Sequence, residues 1–400
     1  MMKKYFGGFL WKFYTASFLS SIVFSIAVLV PFYTEWGGLT LAQVQITQAW
    51  FMFWAFIMEV PTGVIADRFR RKYSVAFGAL LIAIASLIYG SFPDFGAFLF
   101  CEFLMAIACA LVSGANEALL YDTLKEQDRE EESKKVFGRI SAVGVAGAII
   151  GTVAGSIIAA KFGLNVPMLA TAIPFTLAAI IIWTIKEPAI KAKTSEVKNY
   201  FEIAKKGISF FYNHRSLKIL AIDSLVVIVA AYFLVWLYQP MLQNLGVPIF
   251  YFGFIRAAMS LNQMLISSNF EFLEKLFGSA EAYLKMSALI VGILFLLVAV
   301  FPNVVTVLLF VVIGGALSVS RSTLISTYMN KHIPSEQRAT ILSSIGMLSR
   351  VTLAITGPLI GFMADHSLRG TIFFVGLLPL AIFLFSPLKQ EVLEEKIVTA

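Results

Sequence analysis

The chain has 400 residues, 59% of them hydrophobic and only 14% charged, with a formal net charge of +7. An ordinary globular protein carries about 25% charged residues, so this composition argues against a soluble domain and places the chain among membrane proteins. The cations sit between apolar runs rather than along a stripe, which argues against a nucleic-acid partner, and Cys101 and Cys109 share one run and imply no disulfide framework.

A spanning helix needs roughly 20 mostly apolar residues. Twelve such runs are expected, at 9–33, 41–65, 73–92, 96–124, 136–161, 166–185, 216–242, 248–270, 280–300, 303–329, 337–364 and 369–388. The first follows Met1-Met2-Lys3-Lys4, is long and aromatic, and has no small-residue cleavage site, so it reads as a span rather than a signal peptide. Between the second and third runs, Gly63 to Lys72 places one acid and four cations in a short gap, expected to be a tight cytoplasmic turn. Pro31, Pro93, Pro248, Pro302 and Pro334 fall at or near run ends, where a residue without an N–H costs least. Several runs carry Gly or Ser every fourth residue, which lets helices approach closely in lipid.

The longest polar stretch, 186–215, divides the chain into six-span bundles at 1–186 and 216–400, joined by a linker at 187–215. Within it, Val197, Tyr200, Phe201, Ala204, Ile208 and Phe211 share one helical face, and Lys198, Glu202, Lys205 and Lys206 another. That pattern predicts an amphipathic helix on the inner membrane surface, with a flexible tether as the plainer reading. The halves read as distant repeats. Asp67-Arg68 after the second span is matched by Glu274-Lys275 and Gly278 after the eighth, and Gly147, Gly151 and Gly155 in the fifth by Gly357 and Gly361 in the eleventh. With both termini inside, only Lys161 and Arg369 lie in outer loops, and Arg256, Arg321 and Arg350 lie within spans. The remaining 26 of the 31 Lys and Arg residues are then cytoplasmic, as the positive-inside rule requires.

Charged groups inside spans cost about 2.5–3.5 kcal/mol on insertion scales and are functional candidates by default. Glu59, Glu102, Glu117 and Asp223 are such acids and are candidates for proton coupling; Glu59 and Glu117 also read as interhelical braces, and Asp223 as a side chain that snorkels to the cytoplasm. Arg350 lies about fourteen residues into its span, roughly 21 Å at 1.5 Å per residue. Either an internal ion pair, with Asp223 for example, or an anionic ligand would satisfy it. Asn116, Tyr232, Trp236, Tyr238, Asn262 and Gln263, with Arg321 and Arg350, are candidates for a cavity suited to amphipathic ligands; ordinary packing is the alternative for each aromatic. His214, His332 and His366 have no metal-binding spacing, and there is no phosphate-binding loop, so no metal or cofactor and no ATP engine is expected.

Gly63, Asp67, Arg68, Arg71 and Lys72 match the G-x-x-x-D-R-x-G-R-K signature of the major facilitator superfamily, with Arg70 standing where the second glycine would be. Glu59-Val60-Pro61-Thr62, the segment Gly114 to Leu124, and the segment Asn330 to Thr340 resemble a prokaryotic branch related to drug efflux carriers. The resemblance implies an all-α fold of twelve transmembrane helices in two pseudo-symmetric six-helix bundles, working by alternating access about a midplane site. It further implies a cytoplasmic gate of Gly63, Asp67, Arg68, Arg71, Lys72 and Asp122, with Arg71 paired to Asp122 at the foot of the fourth span. The chain departs from the antiporter pattern at Thr152 and Ser156, where proline and glycine are usual, and at Glu102, where arginine is.

The expected function is proton-coupled export of small organic or amphipathic compounds, or alternatively carriage of an anionic metabolite or inorganic anion by the intramembrane arginines. The expected partners are a small-molecule substrate, protons or another coupling ion, and lipid. The expected form is a monomer in the inner (plasma) membrane with both termini cytoplasmic. A membrane-embedded enzyme has no convincing catalytic set here, and a sensor has no appended domain to relay a signal.

Overall fold

The computed structural model describes residues 8–188, 214–333 and 338–394, with the side chains of 59–61, 63–69, 338–340, 343 and 394 outside the description. The amphipathic segment expected at 197–211 therefore lies outside the described residues. Among the described residues there is no strand, and twelve helical runs are long and apolar enough to cross a membrane. Large apolar side chains such as Phe162, Leu359, Leu384 and Phe385 are exposed, as lipid-facing positions are.

The second span runs past the expected boundary. The helix Leu41–Phe69 continues through the charged segment, and Arg70 alone makes the turn before Arg71–Ser91 begins. The gap is one residue wide because Arg70 takes φ 72° and ψ 132°, a region that L side chains enter only under strain. The glycine of the signature stands at this position, where such a backbone costs least.

Three of the expected continuous spans are broken or distorted. The first consists of Leu10–Ser20, a 3-10 turn at Phe24–Val28 and a π turn at Phe32–Trp36. Its interruption leaves backbone groups that other spans satisfy, and the Phe24 N–H donates to Thr171 Oγ1 at 3.1 Å. The fifth span, Ser133–Phe162, passes close to this break. A Cβ at Gly151 would sit 2.9 Å from the Val23 nitrogen, and one at Gly155 only 1.8 Å from the Phe24 carbonyl oxygen. The fourth span breaks between Phe95–Val112 and Ala115–Glu126, where Gly114 takes φ 70°. Ser74 Oγ donates to the Leu111 carbonyl at 2.6 Å, one of the carbonyls the break leaves without an intrahelical partner. The tenth span contains a π turn at Phe310–Gly315 between Val304–Leu309 and Ala316–His332.

The chain divides into two compact units, Met1–Leu39 with Ile46–Lys198 and Phe252–Phe254, and Thr40–Gln45 with Asn199–Tyr251 and Ile255–Ala400. Each is built on the same internal plan. In the first, the third span packs most extensively on the sixth, Val166–Trp183; in the second, the ninth, Ala280–Val300, packs most extensively on the twelfth, Leu368–Phe385. Both units also cap a helix start with a residue that follows their last span. Glu187 accepts from the Arg71 and Lys72 N–H groups at 2.9 and 3.1 Å. Gln390 Oε1 accepts from the Glu281 N–H at 3.2 Å, and the Gln390 N–H donates back to Glu281 Oε2 at 2.8 Å. The expected counterpart of the second-to-third gap, Glu274-Lys275, lies in a short helix, Phe270–Phe277, ended by Gly278 at φ 90°.

Candidate functional site

The first unit holds a buried polar cluster built from four spans. The π turn brings Tyr33 inward, the second span contributes Gln48, the third Tyr89 and the fourth Glu102. Tyr33 and Tyr89 are each 2% exposed and Glu102 6%. Glu102 Oε1 accepts from Tyr33 Oη at 2.9 Å, Tyr89 Oη at 2.8 Å and Gln48 Nε2 at 2.8 Å. The two phenol oxygens are themselves 2.7 Å apart. Phe98 packs against both phenol rings, and Phe32 closes the same aromatic cage. Removing a carboxyl group from water is tolerated only with such a complete set of partners. Sequence reasoning singled out Glu102 but neither tyrosine, because aromatic residues in an apolar run look alike whether they face lipid or a carboxylate.

The break in the fourth span positions a second feature. Helix restarts at Ala115, so Asn116 and Glu117 fall in its first turn and line a cavity of about 560 Å³ within the first unit. The walls come from the first, third, fourth, fifth and sixth spans. Both Asn116 and Glu117 are exposed. Among the described residues the Glu117 side chain makes no ion pair and no hydrogen bond.

At the foot of the same bundle, Arg71 and Asp122 form an ion pair. Lys72 Nζ donates to the Ile185 carbonyl at 3.2 Å. The side chains of Glu59, Gly63, Asp67 and Arg68 lie outside the described residues.

In the second unit Asp223 and Arg321 find each other. Both side chains are 1% exposed, and Arg321 Nη2 donates to Asp223 Oδ1 at 2.6 Å. Arg321 Nη1 donates to Ser287 Oγ at 2.9 Å and to the Leu284 carbonyl, and Ser386 Oγ donates to Asp223 Oδ2 at 3.2 Å. This corrects three expectations. Arg321 does not face an open cavity, because its guanidinium is consumed inside the bundle. Asp223 does not snorkel, and it is a pair member rather than a lone titratable acid. Its arginine partner is Arg321 and not Arg350, which is exposed on Arg338–His366.

The remaining cavity candidates are dispersed. Tyr238 is fully buried, with Gln239 Nε2 donating to its hydroxyl at 3.2 Å, so it is packing rather than an open wall. Trp236 is 9% exposed, while Tyr232 and Gln263 are half-buried. Asn262 Nδ2 donates to the Val312 carbonyl at 2.8 Å, serving the π turn of the tenth span.

The family model described as Major Facilitator Superfamily matches residues 13–355. An uncharacterized MFS-type transporter of Methanocaldococcus jannaschii is 21% identical over 349 residues, covering 85% of this chain and 86% of that one. Multidrug resistance protein MdtG of Salmonella paratyphi C is 26% identical over 227 residues, 53% of this chain and 52% of that one. The chain covers 38% of an uncharacterized transporter of Buchnera aphidicola and 29% of multidrug resistance protein 2 of Bacillus subtilis, so it spans about half or less of the length of several curated relatives. Among solved structures, a point-mutant form of the nucleoside transporter NupG superposes with a TM-score of 0.79 at 14% identity, covering 94% of this chain and 98% of that one. That likeness is one of fold.

Proposed function

This chain belongs to the major facilitator superfamily, a transporter rather than an enzyme, and we propose that it is a secondary active carrier that exports small amphipathic compounds in exchange for protons. Alternation of two like-built units between inward- and outward-open states would carry the substrate. Export is supported by the multidrug resistance proteins among its relatives. The placement of 26 of 31 cations supports an inner-membrane protein with both termini in the cytoplasm. Arg71, Asp122 and Lys72, with Gly63, Asp67 and Arg68, would form the cytoplasmic gate.

The observation that carries proton coupling is a buried carboxyl held by neutral donors alone: Glu102 Oε1 accepts from Tyr33 Oη, Tyr89 Oη and Gln48 Nε2, and it makes no ion pair among the described residues. A change in its charge would change its hold on Tyr33 of the first span and Tyr89 of the third. With Asp223 neutralised by Arg321, Glu102 is the acid best placed to couple. Consumption of Arg321 also leaves the anion-carrier alternative resting on Arg350.

The test is flux of amphipathic probes in vesicles with an imposed pH gradient, comparing wild type with Glu102→Gln. Gradient-driven accumulation by the wild type and gradient-independent flux by the variant are expected. Wild-type flux that ignores the gradient would remove protons from the mechanism.

A further inference from the structure

Three arginines lie within spans. Arg321 is consumed by Asp223, and Arg350 is exposed on the eleventh span. Arg256 is held differently from either. It belongs to the second unit and stands half-buried on the helix Phe252–Ser268. Side chains on a helix lean toward its N-terminus. Arg256 reaches the other way, with Nη1 at 3.2 Å from Met259 Sδ. Met259 stands at the middle of the span Ile249–Ser268, roughly 15 Å from each end at 1.5 Å per residue. The guanidinium is therefore turned toward the midplane and away from the nearer interface. Among the described residues it makes no ion pair, and a thioether is too weak an acceptor to balance its charge. The tenth span fixes this arrangement from behind. A Cβ on Gly315 would come within 2.8 Å of Met259 Sδ, and Asn262 donates to the Val312 carbonyl. Both Gly315 and Val312 belong to the π turn Phe310–Gly315. From Arg256 a polar face continues through Ser260, Gln263 and Ser267, all half-buried, which at about 100° per residue share one narrow sector of the helix. The exposed apolar residues Phe254, Leu261 and Leu265 lie on the opposite side, so the polar face is turned from lipid. A charge in a span that faces inward without a protein partner marks a ligand path.

We propose that Arg256 binds the carboxylate of an amphipathic substrate, with Gln263 offering its amide to the polar head two turns along. The inference names a substrate class for the export reading and rests on it for transport, while binding itself needs no gradient. A guanidinium presents parallel N–H donors that match the two oxygens of a carboxylate. Ser260, Gln263 and Ser267 add no second cation to this face, so it balances one negative charge and suits a monocarboxylate better than a dianion. A neutral compound would leave the arginine unpaired, and a cation would meet it as a like charge, so the site selects by sign.

The test uses radiolabelled naphthaleneacetate and naphthaleneacetamide, which share one apolar body and differ in the charge of the head. Equilibrium dialysis of the purified full-length protein in nonionic detergent, with empty micelles as the blank, measures both. Saturable binding of the carboxylate, about tenfold or more tighter than of the amide, is expected. Arg256→Gln is expected to weaken carboxylate binding by about tenfold or more and to abolish the preference. Arg256→Lys, which keeps the charge without the fork, should lose less. Circular dichroism reports whether each variant folds; if Arg256→Gln does not, the wild type's preference between the two probes decides. Equal carboxylate binding by wild type and a folded Arg256→Gln, or amide binding as tight as carboxylate binding, would overturn the proposal. So would displacement of the probe by inorganic phosphate or by phosphatidylglycerol as effective as by unlabelled naphthaleneacetate, which would mark a free-anion or a lipid-headgroup site respectively. Carboxylate binding without any flux in vesicles would instead sink the export reading and leave the site standing. Proton-linked flux of other compounds without carboxylate binding would do the reverse.

Discussion

Two buried carboxylates in this chain are satisfied in opposite ways. Asp223 receives a guanidinium, while Glu102 receives two phenols and an amide. The first is a fixed charge pair, and breaking it strands a buried ion. Arg321→Gln is expected to cost on the order of 3–5 kcal/mol, read as a large fall in the thermal unfolding temperature in detergent. Adding Asp223→Asn removes the stranded charge, so the double variant should be more stable than either single one. Arg70 is a residue-scale cost of another kind. Its φ of 72° makes Arg70→Gly a stabilising change of about 1 kcal/mol, visible as a small rise in the same unfolding temperature. An unchanged or lower value would show that the arginine side chain contributes more than its backbone loses. Glu102 and Asp223 were legible in the sequence as acids in apolar runs. Their partners were not, because Tyr33 and Tyr89 lie 69 and 13 residues from Glu102, and Arg321 lies 98 from Asp223. No local period brings such residues together.

Among the elements, helix breaks and close approaches shape the first unit. The stripe Gly147, Gly151 and Gly155 was read as a face for tight packing, and the fifth span does lie against the first there. Why the stripe needs glycine was not legible, because the interruption of the first span at residues 21–23 leaves no mark in its composition. Gly155→Ala would drive a Cβ to 1.8 Å from a backbone oxygen, and backbone cannot yield as a side chain does. A loss of about 1–3 kcal/mol is expected from such overpacking. Gly138, on the same helix, has nothing within 4 Å of a Cβ, so Gly138→Ala should be neutral or slightly stabilising through helix propensity. Folded yield after detergent extraction separates the pair, and equal yields would refute the close approach. Run edges were otherwise readable to within a few residues. The exception was the second span, where the charges of 67–68 suggested a loop but lie in a helix that ends at Phe69. A helix can carry charges in its last turn when that turn meets water, so charge alone misplaces its end.

For the whole molecule, the repeat is a matter of construction more than of letters. Glu187 and Gln390 cap the third and ninth spans from the same topological position, although one is an acid and the other an amide. A carrier that moves by rearranging two such units needs contacts at its mouth that differ in strength between states. In the first unit the Arg71–Asp122 pair joins the start of the third span to the foot of the fourth. If it belongs to the gate, its sign matters to transport and its order along the chain does not. Arg71→Asp and Asp122→Arg should each lower flux by about tenfold or more while the protein remains folded and inserted. Exchanging the two, as Arg71→Asp with Asp122→Arg, should restore much of that flux, because the attraction is regained with its ends reversed. The Glu187 cap is made to backbone N–H groups, so its hydrogen bonds do not require the Arg71 side chain. Flux that is unaffected by both single changes would reduce the pair to an ordinary surface contact that fixes topology alone. Flux lost in the singles and not regained in the exchange would point to Arg71 or Asp122 acting through some other partner.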